Sequence, residues 1–432
     1  MATVCVHGLG YVGLPTAALL AHNGHDVTGF DVDEAVIDRL SRGDVRTGEA
    51  ELREYIAEVL DSGALTPADE IPAAEFHLVC VPTPLDAEAE RAELAYVRSA
   101  AEGIAGVLRE GDTVVLESTV PPGTTEGPLR EVLETGSGLR AGTDFGLAYS
   151  PETVLPGNIL YELRANDRFV GGVGEASTET AARLYEPCID GTVHRAPDAS
   201  TAEFVKLVQN AYRDTNIGFA NELARVAADY DIDTRTAIGL ANRHARVDIL
   251  QPGPGVGGHC LPVDPLFLAH GSESVDLIRH ARRVNDSMTG YVVDLVREYF
   301  GGLDGKRLAV LGVAYKGNVD DTRNSPGLRL ARLLRAAEQE PPAVADGGTH
   351  GGIETRLHDP HVSDDDGEFG LVPLETALDG ADAAIVTTDH DEFTEIDPAD
   401  AADRMRGRLL VDTKGLVDDG AWRDAGFDVI TL

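Results

Sequence analysis

A cysteine followed four residues later by an aspartate, in a loop crowded with glycine and proline, is the part of this chain best equipped for covalent chemistry. The stretch is QPGPGVGGHCLPVDP, residues 251–265, with Cys260, His259 beside it and Asp264 beyond. A thiolate attacks carbonyl carbon, and a carboxylate relays protons or activates water. Gly253, Gly255, Gly257 and Gly258 let a ligand lie against main chain, while Pro252 and Pro254 stiffen the loop. Taken alone, the same residues also describe a glycine-rich turn around a buried cysteine. A second set, Lys206, Asn210 and Arg213, falls at the i, i+4, i+7 spacing that puts three side chains on one helix face. The plainer reading is a solvated stripe, which the apolar neighbours Phe204, Val205, Leu207 and Val208 disfavour.

The third set opens the chain. TVCVHGLGYVG (3–13) reads as a strand entering Gly8, Gly10 and Gly13, with Tyr11 and Val12 inside the turn. A helix, LPTAALLAHNG, and a strand, DVTGFDVD, follow, and the acid Asp31 closes the strand. Strand, glycines, helix, strand and acid in this order form the dinucleotide fingerprint. The glycines admit the pyrophosphate to the helix N-terminus, and the acid hydrogen-bonds the ribose hydroxyls. An acid there favours NAD over NADP, because it repels a 2′-phosphate. Three more apolar runs, FHLVCVPTP (76–84), DTVVLESTVPPGTT (112–125) and DFGLAYSPE (144–152), each end in small polar residues and proline. Buried parallel strands whose carboxyl ends feed a ligand crevice have this form, which places Thr83, Thr119 and Glu152 toward the cofactor edge. Turn capping is the plainer role for the two threonines.

These residues need elements to hold them. Residues 198–231 carry a long helical period, TRTAIGLANRHARV a second, and further helices fill 273–299 before GGLDG marks a boundary. From 306 the opening pattern recurs: KRLAVLGVAYKG echoes TVCVHGLGYVG, DAAIVTTDH echoes FHLVCVPTP, and RLLVDTKG echoes TVVLEST. The repeat implies a second Rossmann-like unit. Its first turn lacks the full glycine set and carries Lys316, which points to a phosphate-bearing substrate and away from a second dinucleotide. The expected fold is α/β: two Rossmann-like parallel-sheet domains, 1–190 and 301–432, joined by a helical middle, 191–300, with a long spine helix. PPAVADGGTHGG (341–352) is expected to be a mobile loop.

Composition narrows the class. Asp+Glu number 74 against 36 Lys+Arg, a net charge of -38, dispersed along the whole chain. Nucleic-acid binding is disfavoured by that balance. The composition resembles proteins of salt-accumulating microbes, where molar salt shortens the Debye length to about 3 Å and screens self-repulsion. Lysine occurs only at 206, 306, 316 and 414. If arginine serves wherever charge alone suffices, Lys206, Lys316 and Lys414 mark places needing a compact ammonium. Cys5, Cys80, Cys188 and Cys260 are far apart in sequence, which disfavours disulfides and a metal site, and Cys5 and Cys80 read as core. No apolar run approaches the roughly 18 residues of a membrane span. MATVCVHGLG runs straight into a strand without a signal-peptide pattern, so a cytoplasmic enzyme is expected.

With these residues assembled, the chain resembles the UDP-glucose/GDP-mannose dehydrogenase family over its full length. The resemblance rests on GLGYVGLPTA, ESTVPPGTT, SPETVLPG, the Lys206–Asn210 helix, GPGVGGHCLPVDP, AYKGNVDDTRNSP and VDTKG. Within the family, NDRFVGG (166–172) and NRHARVDILQPGPGVGGHC (242–260) are most similar to members acting on UDP-N-acetyl-D-mannosamine; UDP-glucose is the nearest alternative. Such members usually read PERVLPG, and Thr153 here replaces the arginine.

The resemblance implies an NAD-dependent, four-electron oxidation of a UDP-sugar C6 alcohol, with Cys260 as nucleophile and a dimer built on the spine helix. It further implies oxyanion stabilisation by Lys206 and Asn210, and water or proton handling by Asp264, Glu152 and Thr119. Substrate contacts are implied from Val154, Arg213, His244, Arg246, Gly253, Gly255, Tyr315, Lys316 and Lys414, and a cofactor contact from Arg323. A non-catalytic nucleotide-sugar sensor and a single-step hydroxyacid dehydrogenase are the other readings; the presence of Cys260, Lys206, Asn210 and Asp264 argues against the first, and the second has no use for the cysteine.

Overall fold

The computed structural model describes residues 1–86, 91–154, 157–337, 352–364 and 367–432. The loop expected at 341–352 therefore lies outside the described residues except for Gly352. Two compact units emerge: Met1–Gln209 with Asp264–Ser274, and Asn210–Val263 with Val275–Leu432.

In the first unit the described strands are β1 (Thr3–His7), β2 (Asp26–Phe30), β3 (Leu65–Ala68), β4 (Phe76–Val79), the two-residue pair β5 (Leu85–Asp86) and β6 (Arg91–Ala92), β7 (Thr113–Leu116), β8 (Gly146–Tyr149), β9 (Arg168–Gly172) and β10 (Val193–Arg195). The main sheet runs β3-β2-β1-β4-β7-β8-β9-β10. Its first six strands have the doubly wound 3-2-1-4-5-6 order, with the crossover point between β1 and β4. Only the β8–β9 pairing in it is antiparallel. Strands such as TVVL are buried along their whole length. One face packs Val4, Val6 and Leu78 on the helix Gly13–His22; the other packs Val79, Val114 and Leu116 on Ala95–Ala105. Burial on both faces explains why these segments read as continuous apolar runs without alternation.

In the second unit β11 (Arg307–Leu311), β12 (Glu354–His358), β13 (Ala383–Val386), β14 (Leu409–Asp412) and β15 (Asp428–Thr431) form an all-parallel sheet, order β12-β11-β13-β14-β15. Strand for strand this repeats β2-β1-β4-β7-β8, so the internal repeat read from the sequence is a repeat of topology.

The long helix spans Ala199–Ala228. In the second unit its C-terminal part packs on Asp276–Phe300, where a Cβ on Gly218 would come within 3.0 Å of Ala281. A buried cluster fixes that register. Arg282 and Asn285 donate to Asp214 Oδ1 at 2.6 and 2.8 Å, and Asn221 Nδ2 donates to Asn285 Oδ1 at 2.8 Å. Removing one partner of such a pair strands a buried charge and costs about 3–5 kcal/mol.

Candidate active site

The first glycine turn has the form that a pyrophosphate needs. Gly8 has φ +93, and a Cβ there would stand 2.6 Å from the Cys80 carbonyl oxygen; one on Gly13 would stand 1.9 Å from Gly8 O. Neither position accepts a side chain. A Cβ on Gly10 would meet nothing within 4 Å, which leaves the main chain approachable. Asp31 stands just past the end of β2, where its Oδ2 accepts from Leu9 N at 2.8 Å and its Oδ1 from Asp33 N at 3.0 Å. The carboxylate is thus held over the turn beside the N-terminus of the Gly13–His22 helix. Tyr11 is exposed and Val12 half-buried on the same turn. These residues fit the adenine ribose and pyrophosphate of NAD.

Past β4 and β7 the unit brings two predicted residues together, for the Thr83 hydroxyl donates to Thr119 O at 2.7 Å. The Thr83 hydroxyl thus bridges the loops that follow β4 and β7. Glu152 lies just beyond β8, buried, accepting from Val154 N at 2.7 Å. Burial pushes its pKa above the ordinary carboxylate range, and Lys206, Arg168 and the amides of Val154 and Thr153 pull it back only in part. Lys206 is itself buried on the long helix, so it is no member of a solvated stripe. A carboxyl with a raised pKa beside an ammonium suits a general base that must also shed its proton. Asp264 is buried and opens the short helix Asp264–Phe267. Burial first, then the carboxylates of Glu203 and Asp264, push the Tyr149 hydroxyl at the end of β8 far up.

In the second unit Cys260 is exposed, which removes the buried-cysteine reading. The other thiols differ: burial raises Cys5 to about 12 and Cys188 to about 11, and Cys80 donates to Glu117. The Cys260 loop owes its shape to a ring. A Cβ on Gly257 would come 2.7 Å from Tyr315 Cβ, and one on Gly258, φ +82, 2.9 Å from Tyr315 Cε2. Glycine at both positions lets Tyr315 lie flat on the main chain. Gly258 N donates to Arg323 O at 2.8 Å, and Asn324 Nδ2 donates to Gly258 O at 2.9 Å, closing the clasp. Burial, Asp321 and the Cys260 sulfur together push Tyr315 up to about 12, so it remains a neutral phenol beside the thiol. Arg323 forks onto Asp321, and the nearby sulfur contributes to its raised pKa. Gly253 N donates to Asn221 Oδ1 at 2.8 Å, and Gly255, φ +130, backs onto Asn285 O.

The second glycine turn adds to the sequence reading. Gly312, φ +104, repeats Gly8. A Cβ on Gly327 would stand 2.1 Å from Gly312 O, as one on Gly13 would from Gly8 O. Asp359 repeats Asp31, accepting from Val313 N at 2.7 Å and Ala314 N at 2.9 Å. The glycine pair is therefore present, but the turn between its members is enlarged to hold Tyr315, Lys316 and Arg323. Lys316 is exposed on it. Lys414 follows β14 and pairs with Asp389 at 3.2 Å. Asn210 is half-buried, while Arg213, His244 and Arg246 are exposed.

The two turns, one shaped for a dinucleotide and one enlarged around a lysine, match one family in order. Its NAD binding domain corresponds to residues 2–189, its central domain to 200–287 and its UDP binding domain to 309–419. The chain belongs to the UDP-glucose/GDP-mannose dehydrogenase family. Membership makes it an NAD-dependent nucleotide-sugar dehydrogenase with a UDP-binding domain. It is 39% identical over 434 residues to a UDP-N-acetyl-D-mannosamine dehydrogenase of Methanocaldococcus jannaschii, covering 99% of this chain and 96% of that one. An NDP-N-acetyl-D-galactosaminuronic acid dehydrogenase of Ralstonia solanacearum is 38% identical over 96% of each chain. The solved structure of a UDP-D-ManNAc dehydrogenase from Pyrococcus horikoshii superposes with a TM-score of 0.89 at 37% identity, covering 99% of this chain and 98% of that one.

Three buried groups escaped the sequence reading. Glu203, one turn before Lys206, accepts from Gly123 N, Thr125 N and Thr125 Oγ1 at 2.6, 2.8 and 2.6 Å, tying the VPPGTT loop to the long helix. Glu117 accepts from Arg168 and from Tyr185 Oη at 3.2 and 2.6 Å under β7. Asp412 accepts the amides of Lys414, Gly415, Leu416 and Val417 at 2.6–2.9 Å and so shapes the Lys414 turn. The one signal for Glu203 was an acid on the helix face next to Lys206.

Proposed function

We propose that this dehydrogenase oxidises the C6 alcohol of UDP-N-acetyl-D-mannosamine to the carboxylate, in two hydride transfers at one thiol. The observation that carries the reading is Cys260: exposed, clasped by Tyr315 and Asn324, and alone among the four thiols in being neither buried nor half-buried. Bound NAD+ supplies the hydride acceptor, one equivalent for each transfer. The first transfer leaves the C6 aldehyde. The Cys260 sulfur then bonds to the aldehyde carbon, giving a thiohemiacetal that again carries a C–H for transfer. Its loss as hydride leaves a thioester, and water breaks the carbon–sulfur bond to release the carboxylate. Per sugar, one alcohol, one water and two NAD+ give one carboxylate, two NADH and three protons.

Lys206 and Asn210 balance the oxyanions of both tetrahedral adducts; one such donor is typically worth about 10²–10³ in rate. Glu152, its proton affinity raised by burial, takes the proton from the hydrolytic water, with Thr119 positioning that water and Asp264 relaying protons. Lys316, Lys414, Tyr315, Arg213, His244 and Arg246 serve the nucleotide sugar, and Arg323 the cofactor. The sugar assignment draws on the NRHARVDIL segment and on relatives bearing that activity. Thr153 is the one departure; it is half-buried beside Glu152.

The working form is a cytoplasmic homodimer in high salt, with functional divisions near 190 and 300. In support of the dimer, Phe204, Val208, Tyr212, Phe219 and Val226 are exposed apolar residues whose spacing lines one stripe of the long helix. No helix among the described residues is long and apolar enough to cross a membrane.

The substrate is tested by following NADH in molar KCl with UDP-N-acetyl-D-mannosamine, UDP-N-acetyl-D-galactosamine and UDP-glucose. Turnover of the first above the others is expected. Activity on UDP-glucose alone overturns the assignment, and no NADH from any of them restores the sensor reading.

A further inference from the structure

We propose that Arg235 is a positioning residue, a strut that holds the entrance of the Cys260 loop and the Lys414 turn at a fixed spacing and thereby sets affinity for the nucleotide end of the substrate. The inference rests on the reading that UDP binds across the Lys414 turn of the second unit.

Arg235 is the second residue of the helix Thr234–Ala241, whose start is fixed by Asp233 accepting from Thr236 N at 2.6 Å. Its Nη2 donates to Pro252 O at 2.9 Å and to Thr413 O at 3.1 Å, and its Nη1 donates to Gln251 Oε1 at 3.3 Å. One nitrogen therefore joins two carbonyls from segments far apart in sequence. One leads into the cysteine loop; the other belongs to VDTKG. Each end is rigid on its own account. Beyond Pro252, Gly253 N is held by Asn221. On the other side the Thr413 hydroxyl donates to Val386 O at 2.7 Å, and Asp412 gathers the amides of the turn.

Gly415 is part of the device. Its φ is +62, and a Cβ there would stand 2.4 Å from Arg235 Nε and 2.6 Å from Cδ. The glycine leaves the room through which the guanidinium reaches both carbonyls. The same guanidinium lies near Asp389, the partner of Lys414, and Asp412, so it also offsets acid around that lysine. A planar fork suits this task; an ammonium in its place keeps the charge but not the rigid two-carbonyl reach.

The test uses the full-length enzyme in molar KCl and the variants Arg235→Met, Arg235→Lys and Gly415→Ala, the last moving the strut from its other side. Two quantities are read: KM for UDP-sugar against KM for NAD, and the UDP concentration that half-protects Cys260 from iodoacetamide. The expected result is a rise of about tenfold in KM for the sugar and in half-protective UDP, as for loss of one good hydrogen bond, with KM for NAD within about twofold. The unfolding temperature of each variant confirms that it is folded. Wild-type affinity in Arg235→Lys shows that charge alone suffices and overturns the strut, as does an equal rise in both KM values. No protection by UDP in the wild type overturns the nucleotide-site reading beneath it. Wild-type protection unchanged in all three variants overturns the strut alone.

Discussion

At the scale of single residues, the chemistry depends on environments that set neighbouring groups apart. Cys260 is in solvent reach while three other thiols are withdrawn, and Glu152 is buried beside Lys206 with its pKa raised. In the proposed mechanism Glu152 acts on the thioester as carboxylate, so the steady-state rate is expected to fall as pH drops, with an acid limb above the ordinary carboxylate range. Glu152→Gln is expected to release NADH in one burst and then stall. Its kcat should fall at least about 10²-fold, with the acyl adduct on Cys260 visible by mass spectrometry. Unchanged steady-state turnover would remove Glu152 from the hydrolytic step. The placement of Thr83, Thr119 and Glu152 just past the ends of β4, β7 and β8 was legible because each follows an apolar run. Glu203 and Arg235 were not: their partners lie 80 and 178 residues away in sequence, and no local pattern encodes such a pairing.

At the scale of elements, the two glycine turns share one geometry and differ in what lies between the glycines. Gly8 and Gly13 close tightly and leave Gly10 open to a pyrophosphate, whereas Gly312 and Gly327 make the same close contact around a turn that carries Tyr315 to the Cys260 loop. The expansion hid the second glycine pair, because a motif read at fixed spacing fails when its turn is lengthened. The long helix has its own tie to the first unit. Burial raises the Glu203 carboxyl to about 7 despite three hydrogen bonds that favour its ion. That folded value lies above the unfolded value of about 4.3, so the folded chain binds this proton more tightly. The contribution is full below the unfolded pKa and is lost as pH rises through about 7. The unfolding temperature of the wild type relative to Glu203→Gln should therefore decline between about pH 4 and 7 at constant salt. A difference that stays level across that window would place the Glu203 pKa in the ordinary range.

At the scale of the whole molecule, the fold class was readable from alternation alone: apolar runs of strand length, helical periods between them, and a recurrence after 306. The antiparallel β8–β9 pairing was not, since an apolar strand buried on both faces carries no mark of direction. The net charge of -38 stands in contrast to the exposed apolar stripe on the long helix. Burying that stripe against a second copy would remove it from water, and kosmotropic salt strengthens such burial. Phe219→Asp, with a charge in the middle of the stripe, is expected to convert a dimer to a monomer by light scattering in molar KCl. A wild-type monomer, or a variant that dimerises as the wild type does, would contradict the interface.

The role of the Cys260 sulfur is tested most directly by counting NADH formed per UDP-N-acetyl-D-mannosamine consumed, in the wild type and in Cys260→Ser. The expected counts are two for the wild type and at most one for the variant, with aldehyde in place of carboxylate. Two NADH per sugar from Cys260→Ser, or one from the wild type, would contradict oxidation through a covalent thiol.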